Sequence, residues 1–353
     1  MTSTKSLSLE QLRRRFDRLR ALQQRLTRPV PKHFTACGRR YDLPLRSKTG
    51  PSFTTVPPHM LDYLAGFFDG DGSVIEENGI LRLKVSQAES SSQVLLLFRN
   101  VLGGGIYAEG NTVGMRQVVL RWCLLGERAC HAAELLRQSS SCKYDQLLLV
   151  RSQLQRRAEL KSLKAVAPSK AVCPSWSYLA GFFDAEGHIK IVYPASIVLQ
   201  IEQKFPQILH AIRDFFLDAG ITCVIYNRRV HYALVINRTS ESKRILSRLL
   251  MEGLRAKRLQ ARICLDLGSI KFHDIRVMLT KRVGYQSRYV RLTSAGAERA
   301  YEIKKLRSRL WKSQANSPSQ LAQLKQLQED HLLKCAEERN QLLRADIRSQ
   351  LQQ

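Results

Sequence analysis

Two carboxylates offer the clearest chemistry in this sequence. Asp71 closes the stretch Tyr63-Leu64-Ala65-Gly66-Phe67-Phe68-Asp69-Gly70-Asp71 before Gly72, and Glu186 closes Tyr178-Leu179-Ala180-Gly181-Phe182-Phe183-Asp184-Ala185-Glu186 before Gly187, 115 residues later. An internal repeat dictates the plan of a chain. Each stretch predicts a helix, opened by Pro57 and Pro58 in the first copy and by Pro174 and Ser175 in the second, since a missing N–H is harmless in a first turn. Gly72 and Gly187 suit helix ends. Small residues four apart, Gly66 and Gly70 in one copy and Gly181 and Ala185 in the other, let two helix backbones approach closely, with Ala65 and Ala180 beside them. Packed side by side, the helices bring Asp71 and Glu186 to neighbouring C-terminal tips. The negative helix end and the second acid disfavour a carboxylate there unless a cation is present. Two acids with oxygen ligands only suit Mg²⁺ rather than Zn²⁺.

The 353 residues leave room for two or three domains, and 57 Lys and Arg against 30 Asp and Glu give a net charge of +27. That balance implies a polyanionic partner, nucleic acid before an acidic membrane. No apolar run reaches spanning length, and the start has no secretory pattern, so no membrane partner is expected. The eight cysteines form no C-x-x-C pair and read as reduced, mostly buried thiols. Cys130-His131 lacks further ligands at zinc spacing.

Patterning divides the chain into a basic arm (1–56), a first repeat domain (57–150), a linker (151–175), a second repeat domain (176–270) and a basic helical extension (271–353). The arm holds 13 Lys and Arg against 3 acids over residues 1–50. Ser8 with Gln11 predicts a capping box ahead of an apolar stripe. Three readings of the arm stay open: a nucleic-acid contact, an organelle transit segment, or a helix packed on the body. A transit segment would direct the chain to a chloroplast or mitochondrion, the nucleus being the alternative. Each repeat reads α-β-β-α-β-β-α, with hairpin turns at Asn78-Gly79 and Gly110-Asn111, so the fold class is α+β. Val113–Cys123 is predicted as one strand, Lys143–Leu160 as one helix, and the Gln- and Leu-rich tail after Ser317 as a solvated helix.

The repeat also matches polar residues. Gln87 corresponds to Gln203, and Lys143 to Lys257, at offsets close to that of the acids. The whole pattern resembles the double-motif, monomeric LAGLIDADG homing endonucleases over about residues 57–275, specifically in the two motif stretches and more weakly between them. The resemblance implies two pseudo-symmetric domains whose sheets form a DNA-binding saddle. It implies a site-specific endonuclease of intron homing that hydrolyses phosphodiester bonds with Mg²⁺ or Mn²⁺. The metal would be held by Asp71 and Glu186 with Gly70 and Ala185, while Gln87, Gln203, Lys143 and Lys257 border it and orient water and the scissile phosphate. An RNA maturase or a non-cleaving DNA-binding protein on the same scaffold are the alternatives.

Strand alternation assigns the nucleic-acid face. Leu81, Leu83 and Val85 point inward, leaving Arg82, Lys84 and Ser86 outside. Ile197, Leu199 and Ile201 point inward, leaving Ser196, Val198, Gln200 and Glu202 outside. Tyr232, Leu234 and Ile236 inside leave His231 outside with Arg229 nearby, and Gln117 and Arg121 take the equivalent places in the first half. Rows of Arg, Lys and Gln on a twisted sheet suit major-groove readout. The two rows differ, so a long double-stranded target with unlike halves, bound by one chain, is expected.

Overall fold

The computed structural model describes residues 7–46, 56–114, 116–140, 142–150, 157–170, 174–280, 288–312 and 318–352. Parts of the predicted linker (151–156 and 171–173, with Cys173) and the predicted helix-opening Ser317 lie outside them.

The first repeat begins with helix α2 (Pro58–Asp71), preceded by α1 (Leu9–Gln23), β1 (Thr27–Arg28), β2 (His33–Ala36) and β3 (Arg39–Asp42). It continues through β4 (Gly72–Glu77), β5 (Ile80–Ala88), α3 (Ser92–Leu102), β6 (Gly105–Ala108), β7 (Thr112–Val113), β8 (Val119–Leu125), α4 (Glu127–Arg137) and α5 (Tyr144–Val150). After α6 (Arg157–Ala165), the second repeat runs α7 (Trp176–Glu186), β9 (Gly187–Val192), β10 (Ser196–Gln203), α8 (Gln207–Asp218), β11 (Val224–Asn227), β12 (Tyr232–Ile236), α9 (Thr239–Met251) and α10 (Arg258–Leu265). Helices α11 (Phe272–Thr280), α12 (Ser294–Lys312) and α13 (Pro318–Leu351) follow. The fold is α+β: two four-stranded antiparallel sheets, ordered β4-β5-β8-β6 and β9-β10-β12-β11, carry their helices on one face.

The two motif helices, α2 and α7, form the centre of the molecule. A methyl on Gly66 would overlap the Tyr178 carbonyl, and one on Gly181 the Tyr63 carbonyl, so backbone meets backbone at both crossings. Gly70 faces the Ala185 methyl. The predicted helix-end glycines do cap α2 and α7, their N–H groups donating to the Phe68 and Phe183 carbonyls. Gly72 and Gly187 are extended and start the strands. Each is glycine because a Cβ would strike the ring and carbonyl of Phe68 or Phe183.

The Asn78-Gly79 turn has positive φ at both residues (54° and 76°), as a two-residue hairpin with right-handed strand twist requires. Leu81, Leu83 and Val85 are buried, while Arg82, Lys84 and Ser86 stay on the open face. The predicted strand Val113–Cys123 is interrupted instead. β7 leaves the sheet to pair with β1, Thr27 opposite Val113, and only Val119–Leu125 completes β8. Of the predicted helix Lys143–Leu160, α5 covers Tyr144–Val150 and α6 covers the part from Arg157 onward, and 151–156 lie outside the described residues; Lys164 of α6 donates to the Val74 carbonyl at 2.6 Å, and Ser169 binds Asp145, so this segment folds back on the first repeat.

Of the three readings of the arm, the structure shows a packed segment. The Ser8–Gln11 capping box forms at the start of α1. Phe34 of β2 is fully buried, and Leu45 exchanges both backbone hydrogen bonds with Ile106 at the β6 edge. The tail is solvated only over its first part, 318–330, which is largely exposed; further along, α13 lies on α1 and α12 and buries Leu343, Cys335, Asn340 and Asp346. Asn340 Nδ2 donates to the Leu12 carbonyl at 2.9 Å. Gln23 Nε2 donates to Tyr289 Oη (2.6 Å), Tyr289 donates to Asp346 (2.8 Å), and Arg288 grips the same carboxylate through two nitrogens (2.7 and 2.8 Å). Buried polar groups need such partners, and partners from both chain ends could not be read from either end alone. Seven cysteines in the described residues are unbridged, but only Cys264 and Cys335 are buried and Cys37 is exposed. Among the described residues no helix is long and apolar enough to cross a membrane.

Candidate functional site

Asp71 is the last residue of α2 and Glu186 the last of α7, so the close crossing of these helices carries both acids to one place. Sheet register brings a glutamine to each. Gly72 pairs with Val85 and Gly187 with Ile201, so Gln87 and Gln203, two residues further along, reach the level of the helix ends. Gln87 Nε2 donates to Asp71 Oδ2 at 2.6 Å, and Gln203 bonds the Glu186 side chain.

Lys143 and Lys257 stand just ahead of α5 and α10 and reach back to the helix ends. Lys143 Nζ donates to the carbonyls of Phe68 (2.6 Å), Asp69 (2.9 Å) and Gly70 (3.0 Å). Lys257 Nζ donates to those of Asp184 and, at 3.2 Å, Ala185. Each ammonium thus satisfies C-terminal carbonyls of a motif helix and opposes its negative end. The carbonyls of Gly70 and Ala185, expected to face a metal, each accept a lysine hydrogen bond.

The charges are coupled. Burial and the Asp71 carboxylate both raise the Glu186 pKa, while Lys143, Gln203 and Lys257 oppose the shift. Burial lowers the pKa of Lys143 and of Lys257; both acids, Asp71 and Glu186, pull the two lysines the other way. The two lysines are partly exposed as residues, but their ammonium ends are desolvated. A glutamate with a raised native pKa binds its proton more tightly folded than unfolded, so its favourable contribution is present at low pH and lost as pH rises through the native value. In metal-free buffer, Glu186→Gln is therefore expected to raise Tm at neutral pH, and the gain should vanish below the ordinary glutamate range. A variant that melts lower than wild type at neutral pH would contradict this reading.

Two further pairs were not singled out from the sequence. Asp69 and Asp184 are buried in the motif helices. Asp69 accepts from Ser140 Oγ and from the backbone N–H groups of Cys142 and Lys143, both at 3.0 Å. Asp184 accepts from the N–H groups of Arg255 (2.6 Å), Ala256 (3.0 Å) and Lys257 (2.7 Å). Each also binds a tyrosine of the other repeat: Tyr178 Oη donates to Asp69 and Tyr63 Oη to Asp184, both at 2.7 Å. A signal existed in the sequence, since an acid in an apolar helix, repeated at the motif offset, requires a partner.

The open sheet face is more heavily paired than its sequence suggests. Arg82 pairs with Glu77 at 3.0 Å, and Lys84 and Ser86 both bind Glu109. Arg121 lies 5.8 Å over the Tyr107 ring. Gln117 precedes β8 and accepts from Ser90 Oγ at 3.2 Å. In the second half, Ser196 is partly exposed, Arg229 is exposed in the β11–β12 turn, and His231 lies 3.4 Å from Glu202. Gln200 departs from the expected exposure: it is only 2% exposed, because Lys190 and Glu202 hydrogen-bond its amide and close over it. Its neighbours Ala233 and Val235 on β12 are buried too, and Tyr232, expected inside, is half-buried.

An all-oxygen donor set of two carboxylates that repel one another, at two negative helix ends, fits a hard divalent cation. Among the described residues no group of three or more His, Cys, Asp or Glu side chains is placed to hold a metal ion, so here the protein offers two carboxylates only.

No protein-family model and no curated protein matches the chain. Among solved structures it is similar to the meganuclease I-SmaMI bound to uncleavable DNA, with 14% identity over 62% of this chain and 91% of that one and a TM-score of 0.45. It is also similar to the LAGLIDADG meganuclease I-AabMI bound to uncleaved DNA (15% identity, 71% and 98% covered, TM-score 0.41) and to the LAGLIDADG homing endonuclease I-GzeII with its DNA target (11%, 66% and 99%, TM-score 0.43).

Proposed function

We propose that this chain is a site-specific double-strand DNA endonuclease of the LAGLIDADG homing type, acting as a single pseudo-symmetric chain with Mg²⁺. One observation carries the reading: two acids, two glutamines and two lysines, supplied in matched pairs by the two repeats, surround the ends of two helices in backbone contact. Asp71 and Glu186 would hold the metal. When bound, a divalent ion polarises the phosphate and lowers the pKa of water.

The chain's own residues do the rest. Gln87 and Gln203 fix the rotamers of the two acids. Lys143 and Lys257 put positive charge beside them, where negative charge accumulates on a phosphate under attack. The pair of Arg82 with the half-exposed Glu77 is worth about 0–1 kcal/mol, so Arg82 can exchange its acid for a DNA phosphate at little cost, while the Lys84–Glu109 pair, each side chain 25% exposed, is less screened by water. Unlike outward rows in the two halves support a target with unlike half-sites.

The test is incubation of the purified chain with a randomised plasmid library. Linearisation in Mg²⁺ or Mn²⁺, and none in chelator, is expected; no cutting with either ion would refute the nuclease. Duplex binding should also weaken with salt, with a log–log slope of about −0.9 per phosphate contacted. A flat affinity between low and physiological salt would remove the nucleic-acid reading altogether. Analytical ultracentrifugation should find one chain per duplex.

A further inference from the structure

We infer that each half of the molecule positions the other half's lysine: Tyr63 holds the Lys257 segment and Tyr178 the Lys143 segment, making the two tyrosines strand-specific positioning residues. The strand assignment rests on the nuclease reading; the cross-half positioning does not.

The connection runs through hydrogen bonds in both directions. Tyr63 in α2 donates to Asp184 in α7, and Asp184 holds the backbone N–H groups of Arg255, Ala256 and Lys257. Lys257 then caps α7, the helix that ends at Glu186. The mirror route runs from Tyr178 in α7 to Asp69 in α2, on to Ser140, Cys142 and Lys143, and back to the end of α2 at Asp71. Arg255 also lies 5.7 Å over the Tyr63 ring, a second contact between Tyr63 and the segment it is inferred to hold. Both tyrosines are buried, at 3% and 2% exposure, so neither can act by touching a duplex. A hydrogen bond to a buried carboxylate is among the stronger ones, and its loss leaves the acid to hold its segment with fewer restraints. Because the routes cross, damage to one tyrosine reaches the opposite lysine and spares the other.

Tyr63→Phe and Tyr178→Phe remove one oxygen each and keep the ring. Amide hydrogen exchange on the full chain without DNA reads the positioning directly. Tyr63→Phe should speed exchange at Arg255, Ala256 and Lys257 by about tenfold and leave Cys142 and Lys143 unchanged; Tyr178→Phe should do the reverse. Cleavage is read on a duplex carrying the site that wild type cuts in the plasmid library, with each strand end-labelled. The ratio of the two strand rates should move about tenfold, in opposite directions for the two variants. Equal slowing of both strands, a bias toward the same strand, or faster exchange in both segments would overturn the inference. Absence of cutting by wild type would refute the nuclease and the strand assignment with it, while the exchange pattern would still decide the cross-half positioning.

Discussion

The double variant Asp71→Asn, Glu186→Gln is expected to bind duplex DNA at least as well as wild type and to cut it about 10³-fold more slowly or not at all. The two amides keep the shape of the acids and can still pair with Gln87 and Gln203, whose bonds reach the carboxylates now. What they lose is the negative charge that would hold a divalent ion, and metal stabilisation of a phosphoryl transition state is worth several kcal/mol, which is about 10³ in rate. Binding should not suffer, because two negative charges leave a surface that meets a polyanion. Relief of the charge burial and of the Asp71 repulsion that together raise the Glu186 pKa should also keep the variant folded. End-point and single-turnover cleavage beside a filter-binding titration measures both quantities. Cutting at the wild-type rate would show that these acids are not the catalytic pair.

Gly66→Ala is expected to cost roughly 3 kcal/mol or more of stability, and Gly181→Ala a similar amount, with Leu at either position worse. Overpacking ordinarily costs about 1–3 kcal/mol because side chains can shift. Here the obstacle is the carbonyl of Tyr178 or Tyr63, part of a helix backbone that cannot move without separating α2 from α7. That displacement would pull Asp71 from Glu186 and break the Tyr–Asp hydrogen bonds beside the crossing. Gly70→Ala meets the Ala185 methyl, which is fixed directly to the α7 backbone, so it too should cost stability by forcing the two helices apart. Urea melts of the three alanine variants give the comparison. A Gly66→Ala protein with the wild-type midpoint would mean that the helices do not cross this closely in solution.

The sequence alone determined the parts of this protein that depend on local spacing. Two motif helices ending in acids, their small-residue stripes, the Asn78-Gly79 hairpin and the alternation along β5 are properties of a few consecutive residues, and strand or helix period is enough to read them. The matched glutamines and lysines were legible because repetition substitutes for the missing third dimension: two copies of one unit bring like residues to like places.

Only the tertiary structure decided what these residues touch. Lys143 and Lys257 proved to cap the motif helices, since two helix ends had carbonyls to satisfy and the ammonium groups lay within reach. The crossing of Tyr63 to Asp184 and Tyr178 to Asp69 depends on an approach between helices more than a hundred residues apart. Gln200 has the right parity for the open face and is nevertheless buried, because alternation tells which side a residue takes and not what covers it. β7 left its sheet for β1, and α13 found α1, through contacts between the chain's ends and its body. Local pattern sets each element; long-range satisfaction of buried polar groups and apolar faces decides which elements meet.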